Sequence, residues 1–176
     1  MSWSDMRAGA VLLALLALPA CGFTPMYATH NNTSVAADLS MLDVSAPGSE
    51  IGRALKYDLL DILSSSGNPP ANALYRVELV PTFYEEDVAI ERDAEVTRKN
   101  AVLVVPFRLI DVETGKPVMR SVARSRTSYN RVESEFANIT AARDAEARVA
   151  RDVAADIKLQ LGVHFSSQPR VADAAL

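Results

Sequence analysis

Between Val96 and Asp111 the chain alternates in a way that fixes much of what it can become. Successive side chains of an extended strand point to opposite faces. Ala101, Leu103, Val105, Phe107 and Leu109 therefore share one face. Val102, Val104 and Ile110 make the opposite face apolar as well, with Pro106 and Arg108 among them. A strand apolar on both sides belongs in the middle of a sheet. Pro106 has no amide hydrogen, so it calls for a bulge or a locally free edge. The segment Asp111-Val112-Glu113-Thr114-Gly115-Lys116-Pro117 reads as a turn, and Val118 to Tyr129 returns as the second arm of a hairpin.

The remaining elements follow from similar patterns. Tyr75, Val77 and Leu79 alternate with Arg76, Glu78 and Val80; Pro81 interrupts the ladder, and Phe83 to Ile90 continues it past a bend. A short first strand is predicted around Leu39–Val44. After the turn Ser45–Ser49, Ser49 suits an N-cap. Ile51, Leu55, Leu59, Ile62 and Leu63 then form a helical stripe that stops at Ser64–Gly67, before Asn68-Pro69-Pro70. A long helix is predicted from Glu135 to Leu161, carrying Ile139, Ala142, Ala145, Val149, Val153, Ile157 and Leu161 on one stripe, with Gly162 as its stop. Residues 166–176 read as a disordered tail. The expected fold is α+β: a two-layer sandwich with a mixed four-stranded sheet and two helices packed on one face. Nothing else in the sequence can cover the other face.

That open face has a chemistry of its own. By strand parity Arg76, Glu78, Arg108, Arg120, Arg124 and Arg126 point away from the set containing Tyr75, Leu103 and Met119. Arg92 and Arg98 join them if the strands run regularly that far. Arginine meets carboxylate and phosphate through two parallel hydrogen bonds. Arg76, Arg108, Arg120, Arg124 and Arg126 are thus a candidate face for an anionic ligand, such as a glycolipid head, or for a polar partner. The plainer reading is that a half-buried sheet carries charge on its wet side.

The amino terminus supplies a different kind of information. Residues 8–18 are an apolar run of 11, the size of a secretory signal core and too short for a bilayer, which takes about 20 residues. Leu18-Pro19-Ala20-Cys21-Gly22 resembles the bacterial lipobox, with Pro19 a departure from its usual small residue. Residues 1–20 are read as a lipoprotein signal peptide and 21–34 as a lipidated tether rich in Pro, Thr and Asn. Residues 35–165 are the folded domain. Cys21 is the sole cysteine; exported proteins normally pair their cysteines, so a leftover one should be reactive, intermolecular or modified, and this one sits where lipid would be attached. The resemblance implies a diacylglyceryl thioether on its sulfur and an acyl chain, such as palmitate, on its amino group. Several chains anchor stably where one binds marginally. Gly22, rather than Asp, resembles lipoproteins sorted to the outer membrane.

Loss of the signal removes one base, Arg7, and one acid, Asp5, so the formal charge stays at −4. That balance does not suggest nucleic acid as a partner. The two histidines, His30 and His164, stand apart from each other and from acidic clusters, so no metal site is expected. Glu85-Glu86-Asp87, followed by Glu91 and Asp93, lacks the ligand spacing and turn glycine of a calcium loop. No nucleophile elbow, phosphate-cradling loop or catalytic cysteine is present. No catalytic residue is named, and the chain is not expected to be an enzyme.

The order of several short motifs adds a resemblance. Cys-Gly-Phe-x-Pro-x-Tyr spans 21–27, Tyr75-Arg76-Val77-Glu78-Leu79 forms a strand, and Phe107-Arg108-Leu109-Ile110-Asp111 runs into a Thr114-Gly115 turn. Ser128-Tyr129-Asn130, Phe136-Ala137 and an Ala/Asp/Arg-rich closing helix complete the series. Together these resemble the lipopolysaccharide-assembly lipoprotein family LptE, also called RlpB, in its alphaproteobacterial form. The resemblance implies a plug inside the outer-membrane β-barrel LptD, on the periplasmic side, that helps the barrel assemble and assists lipopolysaccharide transport to the cell surface. It implies binding of lipopolysaccharide, no chemical step, and no cofactor beyond the covalent lipid on Cys21. Two other readings stay open: an accessory lipoprotein of a periplasmic phospholipid-transport system, and a lipid-anchored hydrolase.

Overall fold

The computed structural model describes residues 35–64, 67–90 and 96–167. The segments expected to be a signal peptide, a tether and, beyond Ser167, a tail lie outside the described residues, as do Cys21 and Arg92. The elements are α1 (Val35–Ser40), β1 (Leu42–Ser45), α2 (Glu50–Leu63), β2 (Tyr75–Leu79), β3 (Thr82–Ile90), β4 (Val96–Asp111), β5 (Pro117–Asn130) and α3 (Glu135–Ser167).

The doubly apolar stretch does run through the middle of the sheet. β4 pairs antiparallel with β5 along one edge and with both β2 and β3 along the other. Leu79 lies opposite Phe107 and Thr82 opposite Val104, so β2 and β3 follow one register line across the Val80-Pro81 break. Five strands thus form a sheet four ribbons wide. β1 adds to β2 in parallel, Val44 opposite Val77, which makes the sheet mixed. The expected four-stranded count differs from the five observed because pairing breaks at Val80-Pro81, where Val80 faces a proline, Pro106, that has no N–H to return a bond, and one long arm is split in two.

Pro106 sits at the same break. Its carbonyl accepts from the amide of Val80 at 3.0 Å, so its missing N–H also faces the gap between β2 and β3. The register of β4 against β5 is undisturbed there, and its shift lies instead between Leu109 and Ile110. Two prolines share one interruption, and only one ladder bond is lost.

All three helices belong to the layer on the inner face. Ala101, Leu103, Val105, Phe107 and Leu109 are buried together with Leu55 and Leu59 of α2 and Ala145, Val149, Val153, Ile157 and Leu161 of α3. Ser49 caps α2, its hydroxyl accepting from the Gly52 amide at 3.2 Å. A Cβ on Gly52 would stand 2.3 Å from the Pro47 carbonyl oxygen, so only glycine lets the turn close this tightly onto the helix. At the other end Lys158 of α3 donates to the Ile62 carbonyl at 2.6 Å, placing a cation where α2 leaves its carbonyls unsatisfied.

Three boundaries differ from the sequence reading. Residues 35–40 form a helix, and the first strand starts at Leu42 rather than Leu39. Val35 and Leu39 lie four apart, both buried, which is helical spacing in a segment too short for a sequence stripe to declare itself. The sheet layer is therefore covered by three helices, not two. Gly162 does not stop α3, which continues to Ser167. Gly162 is buried, and Phe165 stacks at a tilt on Tyr75 with ring centroids 5.4 Å apart. This packing outweighs the roughly 1 kcal/mol a helical glycine costs. Ser166 and Ser167 accordingly belong to the helix and not to the tail.

Candidate functional site: the open sheet face

The face away from the helices is built in rows, because cross-strand partners in β2/β3, β4 and β5 lie side by side. Glu78, Arg108 and Arg120 form one row, and Arg108 stands directly opposite Arg120. Val80, Pro106 and Val122 form the next, at the double-proline break. Thr82, Val104 and Arg124 follow, then Tyr84, Val102 and Arg126. The pleat thus sets an apolar strip beside a column of arginines on β5. Val80 and Val122 are about half exposed, at 55% and 51%, and Val102 is buried even on this face.

The predicted arginines do share this face, but the ion pairs divide them. Arg76 pairs with Asp43 at 3.2 Å, Arg108 with Glu78 at 2.7 Å, and Arg126 with Glu86 at 3.2 Å. Arg98 donates to the Asn130 side chain at 3.1 Å. Arg120 and Arg124 have no carboxylate partner among the described residues. Exposed pairs are each worth little, roughly 0–1 kcal/mol. Their main effect here is to leave Arg120 and Arg124 as the uncompensated positive charge. Facing Arg108 raises the potential at Arg120 further, since like charges opposite one another repel.

A groove of about 430 Å³ opens at this junction, lined by Val80, Pro106 and Val122 with Glu78, Arg108 and Arg120 at its rim. Its floor is apolar because Val80, Pro106 and Val122 present hydrocarbon side chains side by side in one row. Its only carboxylate, Glu78, is engaged by Arg108. Such an arrangement suits an amphiphilic anion, with an alkyl segment on the floor and a phosphate or carboxylate at Arg120. Sequence parity found the arginines and missed the groove. Its signal was present in Val80, Pro106 and Val122, but only the register brings them into one row.

A second polar cluster lies toward the Ile90–Val96 end, on the inner side. Tyr129, buried, donates its hydroxyl to Glu85 at 2.5 Å, and Lys99 donates to the same carboxylate at 3.2 Å. Burial opposes ionisation of Glu85. The hydrogen bonds from Tyr129 and Lys99, and the charges of Lys99 and Arg131, outweigh it and hold its pKa below the usual 4.5. Burial first, then Glu85, pushes the Tyr129 pKa up, so the phenol stays a donor. A carboxylate whose folded pKa is depressed adds stability above its unfolded pKa, and this is lost as pH falls through the folded value. Tyr129→Phe is therefore expected to cost about 1.5–3 kcal/mol at pH 7, as for a hydrogen bond to a charged group. The gap from wild type narrows below pH 4.5. Urea titrations of both proteins at pH 7 and pH 3.5 check it, and an unchanged gap would contradict it.

No protein-family model matches the chain, and no curated protein matches it. Solved structures do share its fold. A candidate lipoprotein from Caulobacter crescentus superposes with a TM-score of 0.64 at 21% identity, covering 76% of this chain and 97% of that one. A minor lipoprotein from Acinetobacter baumannii gives 0.57 at 18% identity, covering 73% and 96%. An uncharacterized lipoprotein B from Nitrosomonas europaea gives 0.55 at 15% identity, covering 72% and 84%. The two-layer α+β sandwich is thus a fold found among bacterial lipoproteins.

Proposed function

We propose that the chain is an outer-membrane lipoprotein, lipidated at Cys21, that occupies an LptD-type β-barrel, helps it assemble, and assists lipopolysaccharide transport. Its part is to bind and to scaffold, with no chemical step. The observation that carries this reading is the open sheet face, where an apolar groove adjoins the uncompensated Arg120 and Arg124. Lipid A joins acyl chains to phosphates, and that combination suits a floor of Val80, Pro106 and Val122 under an arginine rim. A barrel lumen is polar and fits the rest of a charged, unhelical sheet face. The lipobox-like Leu18–Gly22 and a fold held in common with lipoproteins of other bacteria support the envelope location.

Depletion in the living cell tests the proposal. Loss of the protein is expected to leave the partner barrel misassembled and to reduce lipopolysaccharide at the cell surface. Normal export and a normally folded barrel after complete depletion would end this reading, and would favour an accessory role in phospholipid transport.

A further inference from the structure

We infer that the free edge of β5, from Arg124 to Ser128, is a strand-addition site for an extended segment of a partner protein with carboxylates at alternate positions. This inference does not depend on the barrel or on lipopolysaccharide.

In an antiparallel ladder, each residue aims its N–H and C=O to the same side, and neighbours aim to opposite sides. Pro106 aims its carbonyl at Val80, so the even-numbered residues of β4 face β2 and β3. Their partners on β5 are Val122, Arg124, Arg126 and Ser128, which must aim their main-chain groups away from β4. The Gln160 side chain confirms this direction by donating to the Val122 carbonyl at 3.4 Å. Beyond that contact no main-chain bond reaches the outward groups of Arg124, Arg126 and Ser128 from any described residue. An exposed row of unpaired amides and carbonyls is a template for another strand.

The side chains then select the occupant. The outward-facing residues are the ones that carry Arg124 and Arg126 on the open face. On the opposite face, α3 brings Asp152 beneath the same edge, where Ser125 donates to it at 3.0 Å. An added strand meets the uncompensated Arg124 and, two residues on, Arg126 with its Glu86 partner on one face, and a carboxylate on the other. Acidic residues alternating with neutral ones match both. A second copy does not: antiparallel pairing of β5 with itself would set arginine columns against each other, which is destabilising.

The test uses the mature full-length chain and a soluble (Glu-Val)4 peptide. Controls are (Lys-Val)4 and a peptide with the same four Glu and four Val in two blocks. The alternating acidic peptide is expected to bind at least tenfold more tightly than either control. It should also slow hydrogen exchange at the amides of Arg124, Arg126 and Ser128 while leaving Ala123 and Ser125, already in the ladder, unchanged. Arg124→Gln is expected to weaken binding about tenfold. Arg124→Pro, which removes an N–H that the fold does not use, should weaken it beyond Arg124→Gln. Equal binding of the blocked and alternating peptides would overturn the inference. So would an unprotected β5 edge in the saturated complex, or dimerisation of the protein through β5 in place of peptide binding. If Arg124→Pro proves unfolded, the Arg124→Gln affinity and the exchange pattern decide alone.

Discussion

Phe107→Ala is expected to remove about 3–5 kcal/mol of stability, the usual range for truncating a buried phenylalanine. The side chain is 2% exposed and lies on the inner face of β4, opposite Leu79 on one strand and Ser121 on the other. Its neighbours are held by two ladders and cannot collapse into the space. For a domain whose total stability is about 5–15 kcal/mol, that loss leaves little in reserve. Phe136 provides the contrast. It is 81% exposed at the start of α3, and Phe136→Ala should change stability by less than about 0.5 kcal/mol. Urea denaturation of both variants measures the difference. Equal effects would mean that the core is not organised around β4.

The second large effect concerns binding. Under the proposed function, Arg120→Glu combined with Arg124→Glu is expected to weaken lipopolysaccharide binding at least about a hundredfold, on the basis of two charge-assisted contacts worth about 1.5–3 kcal/mol each. Stability should hardly change, because both side chains are exposed and form no ion pair among the described residues. A glutamate at 120 would face Arg108 and gain an opposite charge. Arg76→Glu is the comparison. Arg76 is tied to Asp43, away from the groove, and its reversal should weaken binding far less. If all three reversals act alike, the effect is one of net charge and the groove has no special part.

Much of this fold was legible because its strands are long and its periodicities unmixed. Val96–Asp111 declared itself central through apolar residues on both faces, and the structure places it between β5 and the β2/β3 line. Ser49 declared itself a cap and is one. Where the sequence misled, tertiary packing overruled a local signal. Gly162 has the propensity of a helix end, but with Phe165 packed on Tyr75 the helix runs on to Ser167. The six residues of α1 are too few for a periodic pattern to stand out.

The face bearing the candidate site was legible through parity alone, since strand alternation needs no knowledge of partners. The groove was not, because Val80, Pro106 and Val122 come from three segments and only their register joins them. The partition of the arginines was hidden for the same reason. Glu78, Glu86 and Asp43 decide which of them are neutralised, and their positions follow from strand pairing.

The central claim is that this protein works inside an outer-membrane barrel, and affinity purification of the full-length protein from detergent-solubilised envelopes tests it most directly. One dominant partner is expected, a β-barrel of porin size or larger, recovered in equal amount with the bait and lost when outer membranes are omitted. Recovery of an inner-membrane transporter complex in its place, with no barrel, would contradict it.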